Sequence, residues 1–142
     1  MFDRDAVFVD TSGRIAVLNS DDVLYAQACA CLLELGKRGR LLVTTDWVLA
    51  ETGNGLARTA ARKRLAAAMQ RLFMSPHCRI VWVDNLLTDR ALELYNRIDD
   101  KPWGLVDCAS FVLMRDEGVA DAFTSDRHFI QAGFRCLLPT VL

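Results

Sequence analysis

The chain is predicted to fold as an α/β domain around a mainly parallel sheet, and two observations carry that expectation. Short apolar β-like runs recur at 6–9, 41–45, 79–83 and 120–124, the first two of the kind buried on both faces, and amphipathic helical periodicity fills the intervals between them. Acids also stand just beyond two of these runs, Asp10 after the first and Asp126 after the fourth, where an open parallel sheet places its ligands. With 142 residues there is room for one well-cored domain, so 1–142 is read as a single domain.

The elements follow in order. Residues 6–9 read as a buried parallel strand, and Asp10-Thr11-Ser12-Gly13 as a turn after it. A helix over 22–36 is rich in Ala, Leu and Cys and stops at Gly36 and Gly39, which suit a left-handed C-terminal cap. After the strand at 41–45 a helix opens near Asp46, read as its N-cap, and stacks Trp47, Glu51, Asn54 and Arg58 on one stripe opposite Leu49 and Leu56. Gly53 and Gly55 weaken its continuity up to Arg58. A helix over 59–74 turns Ala61, Leu65, Ala68, Met69 and Leu72 inward, with Lys63, Arg64 and Arg71 outward. The third strand, 79–83, leads through Asp84, read as serving the turn, to a helix from Asn85 with Leu87, Ala91, Leu94 and Ile98 inward. An apolar-periodic helix after Trp103 carries Asp107 in its first turn, where the helix dipole favours an ionised carboxylate. The fourth strand, a short helix at Asp126 and a β-like piece at 134–138 complete the chain.

Charges interrupt every apolar run well before the ~18 residues a membrane span needs, so a soluble protein is expected. The first residues, MFDRDAVFVDTS, carry acids where an export signal needs a basic region. Five cysteines, without a CxxC pair, suggest neither a disulfide framework nor a zinc site and fit a reducing cytoplasm. Net charge is only −1, but its distribution is uneven. Residues 52–83 contain no acid and six cations, Arg58, Arg62, Lys63, Arg64, Arg71 and Arg79, giving that span +6 and the remainder −7. Arginine suits bidentate phosphate contacts, although cations on a helix are more often its wet face.

Asp10, Glu51, Asp107 and Asp126 are therefore the candidates for one rim. Carboxylates gathered without a cation repel one another, and an oxygen-rich cluster suits Mg2+ or Mn2+ better than zinc or copper. Hydrolysis of a phosphodiester is the reaction such a site serves. Asn54 and Arg58 on the stripe of Glu51, and Arg62 in the basic span, are the candidate substrate contacts.

At this point FVDTS at 8–12, VLAETGNGL at 48–56, WGLVDCASF at 103–111 and TSDRHF at 124–129 together resemble the PIN-domain ribonucleases, of the kind found as VapC-type toxins of toxin–antitoxin pairs. The resemblance covers nearly the whole chain. It implies a metal-dependent endoribonuclease acting on RNA, with Asp10, Glu51, Asp107 and Asp126 as metal-site acids and Ser12 and Thr124 as supporting hydroxyls, Ser12 beside the substrate. It further implies a sheet in order 3-2-1-4-5, a small antitoxin protein as partner and a homodimer. Gly104 departs from the pattern, since many relatives carry a hydroxyl residue there.

Other readings fit less well. A haloacid-dehalogenase site needs a second acid at Ser12, and a receiver domain needs paired acids there and a lysine near the last strand. A His77–His128 acid–base pair is disfavoured because His77 lies in a Ser-Pro-His turn of the kind found at the surface and His128, two positions after Asp126, reads equally as a residue near the rim and as packing filler. Cys108 and Trp103 read as core residues before they read as nucleophile or base-stacking platform. A noncatalytic RNA-binding module and an orphan PIN nuclease in RNA processing remain as alternatives. Retention of all four acids disfavours the first, and an adjacent antitoxin gene would disfavour the second.

Overall fold

In the computed structural model, which describes residues 5–140, five parallel strands form one sheet in the order β3-β2-β1-β4-β5. Residues 1–4, part of the stretch read above against an export signal, lie outside the described residues. The strands are β1 Val7–Val9, β2 Leu42–Thr45, β3 Cys78–Val81, β4 Asp121–Phe123 and β5 Arg135–Cys136. The helices are α1 Thr11–Leu18, α2 Tyr25–Lys37, α3 Asp46–Leu56, α4 Leu65–Met74, α5 Asn85–Arg97, α6 Leu105–Glu117 and α7 Arg127–Gln131, with a 3-10 segment at Ala60–Arg64 before α4. The α/β class and strand order match the expectation from sequence.

β1 is buried throughout, and its alternation divides the core. Ala6 and Phe8 join one layer with Ala91 and Leu94 of α5 and Phe111 and Met114 of α6. Val7 and Val9 face the other way, against Ala16 of α1 and Ala28 and Leu35 of α2. A period of two along a strand does this by itself. Apolar residues at helical spacing then supply both covering layers, and no described helix is long and apolar enough to cross a membrane.

The segment after β1 is not a turn. Asp10 has extended backbone and caps α1, which begins at Thr11 and runs to Leu18. Tertiary contact overrides the turn-like Thr-Ser-Gly sequence, because Gly13 lets the helix lie directly on the end of β4. A Cβ there would come within 2.2 Å of the Phe123 carbonyl oxygen, which as backbone cannot swing aside. Gly13→Ala is accordingly expected to cost about 3 kcal/mol through forced separation of α1 and β4, read as a lowered urea midpoint. An unchanged midpoint would show that this packing tolerates the shift.

Gly55 is helical as well, and its bare Cα faces Ile15 of α1, whose Cδ1, the movable end of that side chain, would lie 2.5 Å from an added Cβ. Close approach of α1 and α3 brings Glu51 to the β1 rim. The helix ends at Leu56, however, where Thr59 donates its hydroxyl to the Leu56 carbonyl, so Arg58 lies beyond the stripe that a continuous helix would have given it. The N-cap of α3 is Thr45, which accepts from Val48 N at 3.1 Å, and not Asp46. Asp46 instead accepts the Val83 N–H at 2.7 Å and ties the end of β3 to α3. Asp84 caps α5 as its turn role required, accepting from Leu87 N at 2.8 Å.

Candidate active site

Asp10 stands where strand order reverses, between β1 and β4, and is 3% exposed. Its Oδ2 accepts the Thr124 hydroxyl at 2.9 Å. Thr124 Oγ1 in turn accepts the Asp126 N–H at 3.0 Å and lies 2.8 Å from Ser12 Oγ, which accepts the Ser125 N–H at 3.0 Å. The two hydroxyls thus bind the first turn of α1 to the chain leaving β4, and they hold Asp10 in place. Ser12 spends its hydrogen-bonding capacity inside this network, with Asp10 Oδ2 a further 3.5 Å contact.

Asp126 is the N-cap of α7, its Oδ1 accepting the His128 N–H at 2.9 Å. Asp107, in the first turn of α6, accepts the Gly104 N–H at 3.1 Å, so the helix starts cleanly although residue 104 has no side-chain hydroxyl. The same Asp107 oxygen lies 3.2 Å from His128 Nδ1, which is 3.4 Å from Asp126 Oδ1. Asp107, Asp126 and His128 each offer a ligand atom within 4.8 Å of the others. Glu51 approaches from α3 and accepts the Thr11 hydroxyl through Oε1.

Electrostatics joins these residues. Burial pushes the Asp10 carboxyl up to about 7; hydrogen bonds from Thr11 N–H and Thr124 oppose the rise, and the charges of Asp107 and Glu51 add to it. Asp107 is likewise raised, mainly by burial and further by Asp126, with the Gly104 and His128 contacts opposing. Among the described residues none of the four acids has a Lys or Arg ion-pair partner. A buried, raised carboxyl among like charges and a donor set of oxygens with one imidazole fit a hard divalent cation.

The candidate substrate residues sit differently. Asn54 and Arg58 are exposed, and no hydrogen bond or ion pair joins either to the acids among the described residues. Arg62 folds back to donate to the Ala57 carbonyl at 3.1 Å. These residues flank the end of α3, beside the acids without being part of their cluster. The sequence places His128 near the rim, two residues after Asp126, without choosing between a site residue and packing filler; the structure puts it against both Asp107 and Asp126. Cys108 is buried, and burial with the Asp107 charge pushes its thiol up to about 11, which suits a core residue and not a nucleophile. Trp103 is buried edge-on against Phe111, its indole N–H on Gln131 Oε1 at 3.0 Å.

Residues 7–135, which include all four acids, match the family described as PIN domain. The chain is 31% identical over 128 residues to the 23S rRNA-specific endonuclease VapC20 of Mycobacterium tuberculosis, covering 90% of this chain and 95% of that protein. The crystal structure of that protein, described as a sarcin-ricin loop cleaving toxin, is similar with a TM-score of 0.80 at 30% identity, over 94% of this chain and 99% of the other. VapBC2 from Rickettsia felis, solved bound to a promoter DNA fragment, shares the fold at a TM-score of 0.63 and 16% identity, over 92% and 96% of the two chains. The strand order, the acids at the β1–β4 rim and the match over 7–135 agree, and the chain belongs to the PIN domain family.

Proposed function

We propose that this protein is a divalent-metal-dependent endoribonuclease, the toxin of a toxin–antitoxin pair, and that ribosomal RNA is its substrate. The observation that carries the reading is the buried Asp10 carboxyl, which shares one rim with Glu51 and Asp107 and has no cationic side chain among the described residues to balance it. The names of the mycobacterial relative, an rRNA endonuclease and a toxin, support the substrate and biological class at 31% identity over nearly the full length of both chains. A small antitoxin partner, a homodimeric assembly and a cytoplasmic location belong to the same reading.

Asp10, Asp107 and Asp126 are assigned as the residues that hold the cation, with Glu51 completing the acidic rim and Mg2+ or Mn2+ as the ion. When bound, such an ion supplies Lewis acidity for water activation and for charge on the phosphate. The remaining work falls to the chain. Thr124 and Ser12 fix the Asp10 carboxylate, and Thr11 fixes Glu51. His128 fixes the Asp107 carboxylate through Nδ1 and leaves its other ring nitrogen for a water or phosphate oxygen. A single imidazole among acids suits orientation more than a paired acid–base mechanism.

Purified protein incubated with ribosomal RNA in Mg2+ or Mn2+ should give discrete fragments, and in chelator none. RNA bound but left uncut at every metal concentration would return the chain to a noncatalytic binding module. Arg58, Arg62 and Lys63 follow directly on α3 and are assigned to the RNA backbone. Neutralising all three in an Asp107→Asn background should weaken RNA binding and flatten its salt dependence, by up to about 0.7 in log–log slope for each phosphate no longer paired with a cation. An unchanged slope would make this span a solvated surface and move the RNA path elsewhere.

A further inference from the structure

Away from the rim, on the α1–α2 face of the sheet, lies a cavity of about 280 Å³. Its walls are apolar, built chiefly by Val9, Leu32, Leu42, Leu72 and Phe123. One charged side chain is sunk into them. Arg14, on α1, is 9% exposed; its Nε is fully buried, and its guanidinium makes no hydrogen bond or ion pair among the described residues. Burial lowers its pKa to about 10, with the Cys78 side chain opposing, so it carries a full charge at neutral pH. Ser75, Cys78 and the exposed Arg71 line the same cavity and supply its remaining polar groups.

A buried cation with no anion is a costly arrangement, and a buried guanidinium normally has a carboxylate or phosphate on its fork. Among the described residues the interior supplies none. The cavity itself has the missing half of the pair's shape, a hydrophobic chamber with a forked donor in its wall. At roughly 30 Å³ for each water-sized unit, it holds about ten non-hydrogen atoms. One buried positive charge calls for one negative charge. A dianionic phosphate would bring a second charge into the same apolar walls, with only Arg71 at the solvent side to balance it.

We propose that the Arg14 cavity is a binding site for a small amphipathic monocarboxylate, a free molecule with an apolar body of about five to seven carbons. The carboxylate pairs with the Arg14 guanidinium, and the chain fills the space against Leu32, Leu42, Leu72 and Phe123. Because Arg14 lies one helical turn from Asp10, with its N–H on the Asp10 carbonyl at 3.1 Å, the ligand would brace the helix that starts at the metal-binding rim. The site does not depend on the nuclease reading and stands or falls separately from it.

Octanoate is the probe, followed by calorimetry and by melting of the full chain in metal-free buffer. Saturable one-to-one binding is expected, with a melting temperature that rises with octanoate concentration as ligand linkage requires. Arg14→Met keeps the length of the side chain and removes its charge. It should bind octanoate at least tenfold more weakly while remaining folded, and without ligand it should melt no lower than wild type. Should that variant fail to fold, Arg14→Lys serves in its place: it keeps the charge, loses the fork and should still bind octanoate several-fold more weakly. Octanol should bind wild type at least tenfold more weakly than octanoate. Absence of saturable octanoate binding would overturn the proposal, as would equal binding by Arg14→Met, or by Arg14→Lys where it is the variant used. Equal affinity for octanol would remove the role of the charge, and tighter binding of octyl phosphate would overturn the carboxylate assignment.

Discussion

Asp10→Asn and Asp107→Asn are each expected to lower RNA cleavage on the order of 10³-fold, equivalent to ~4 kcal/mol of transition-state stabilisation, while leaving the fold intact. Asparagine retains the shape and most of the hydrogen bonding at both positions. Residue 10 can still accept the Thr124 hydroxyl and residue 107 the Gly104 N–H, so α1 and α6 keep their starts. What disappears is the ligand charge. Single-turnover cleavage of ribosomal RNA at saturating metal, with circular dichroism and melting as the check on folding, separates the two effects. A variant with more than a tenth of wild-type activity would remove its residue from the metal site.

The second large effect concerns stability without metal. Asp10 has a folded pKa of about 7 against an ordinary value of 3.8, so the folded state prefers it protonated. Below pH ~4 the group is neutral in both states and its contribution is fully favourable. That contribution is lost progressively as pH rises toward 7, because the folded chain must then ionise a buried carboxyl that the unfolded chain ionises freely. Roughly three pH units at ~1.4 kcal/mol each make the loss about 4 kcal/mol, and Asp107, also raised, acts in the same direction. In chelator at pH 8, Asp10→Asn should therefore be several kcal/mol more stable than wild type, and the gap should close toward pH 4.5. Saturating Mg2+ should restore wild type and do little for the variant. Urea melts of both proteins from pH 4.5 to 8 decide this, and a difference independent of pH would mean that ionising Asp10 costs the folded chain nothing.

How far the sequence could be read depended on whether a signal was local. The buried strands and the inward faces of α4 and α5 were legible because apolar spacing alone sets them, as Ala91 and Leu94 illustrate. Asp10 and Asp126 were legible as acids following strands. The start of α1 was not, since Thr-Ser-Gly favours a turn locally and the helix there rests on tertiary contacts, the Ser12 hydrogen bonds to the chain after β4 and the close approach of Gly13 to Phe123. Arg58 falls off the stripe that a helix continuing past Gly53 and Gly55 would give it, because α3 ends at Leu56, where Thr59 donates its hydroxyl to the Leu56 carbonyl. His128 was underread for a similar reason. Its contact with Asp107 spans 21 residues and exists only once α6 and α7 meet at the rim. Arg14 was passed over altogether, because nothing in Gly-Arg-Ile-Ala-Val-Leu distinguishes a cation turned into the core from one turned to water.

Identification of the termini left on cut RNA tests the central claim, that these acids form a metal-dependent hydrolytic site, most directly. Wild-type protein with Mg2+ or Mn2+ should leave no 2′,3′-cyclic phosphate, because water and not the ribose 2′-hydroxyl is the nucleophile, and chelator should leave the RNA intact. Cyclic phosphate ends, formed equally well in chelator and abolished by His128→Ala but not by Asp10→Asn, would contradict it and make the imidazole, not the carboxylates, the centre of the chemistry.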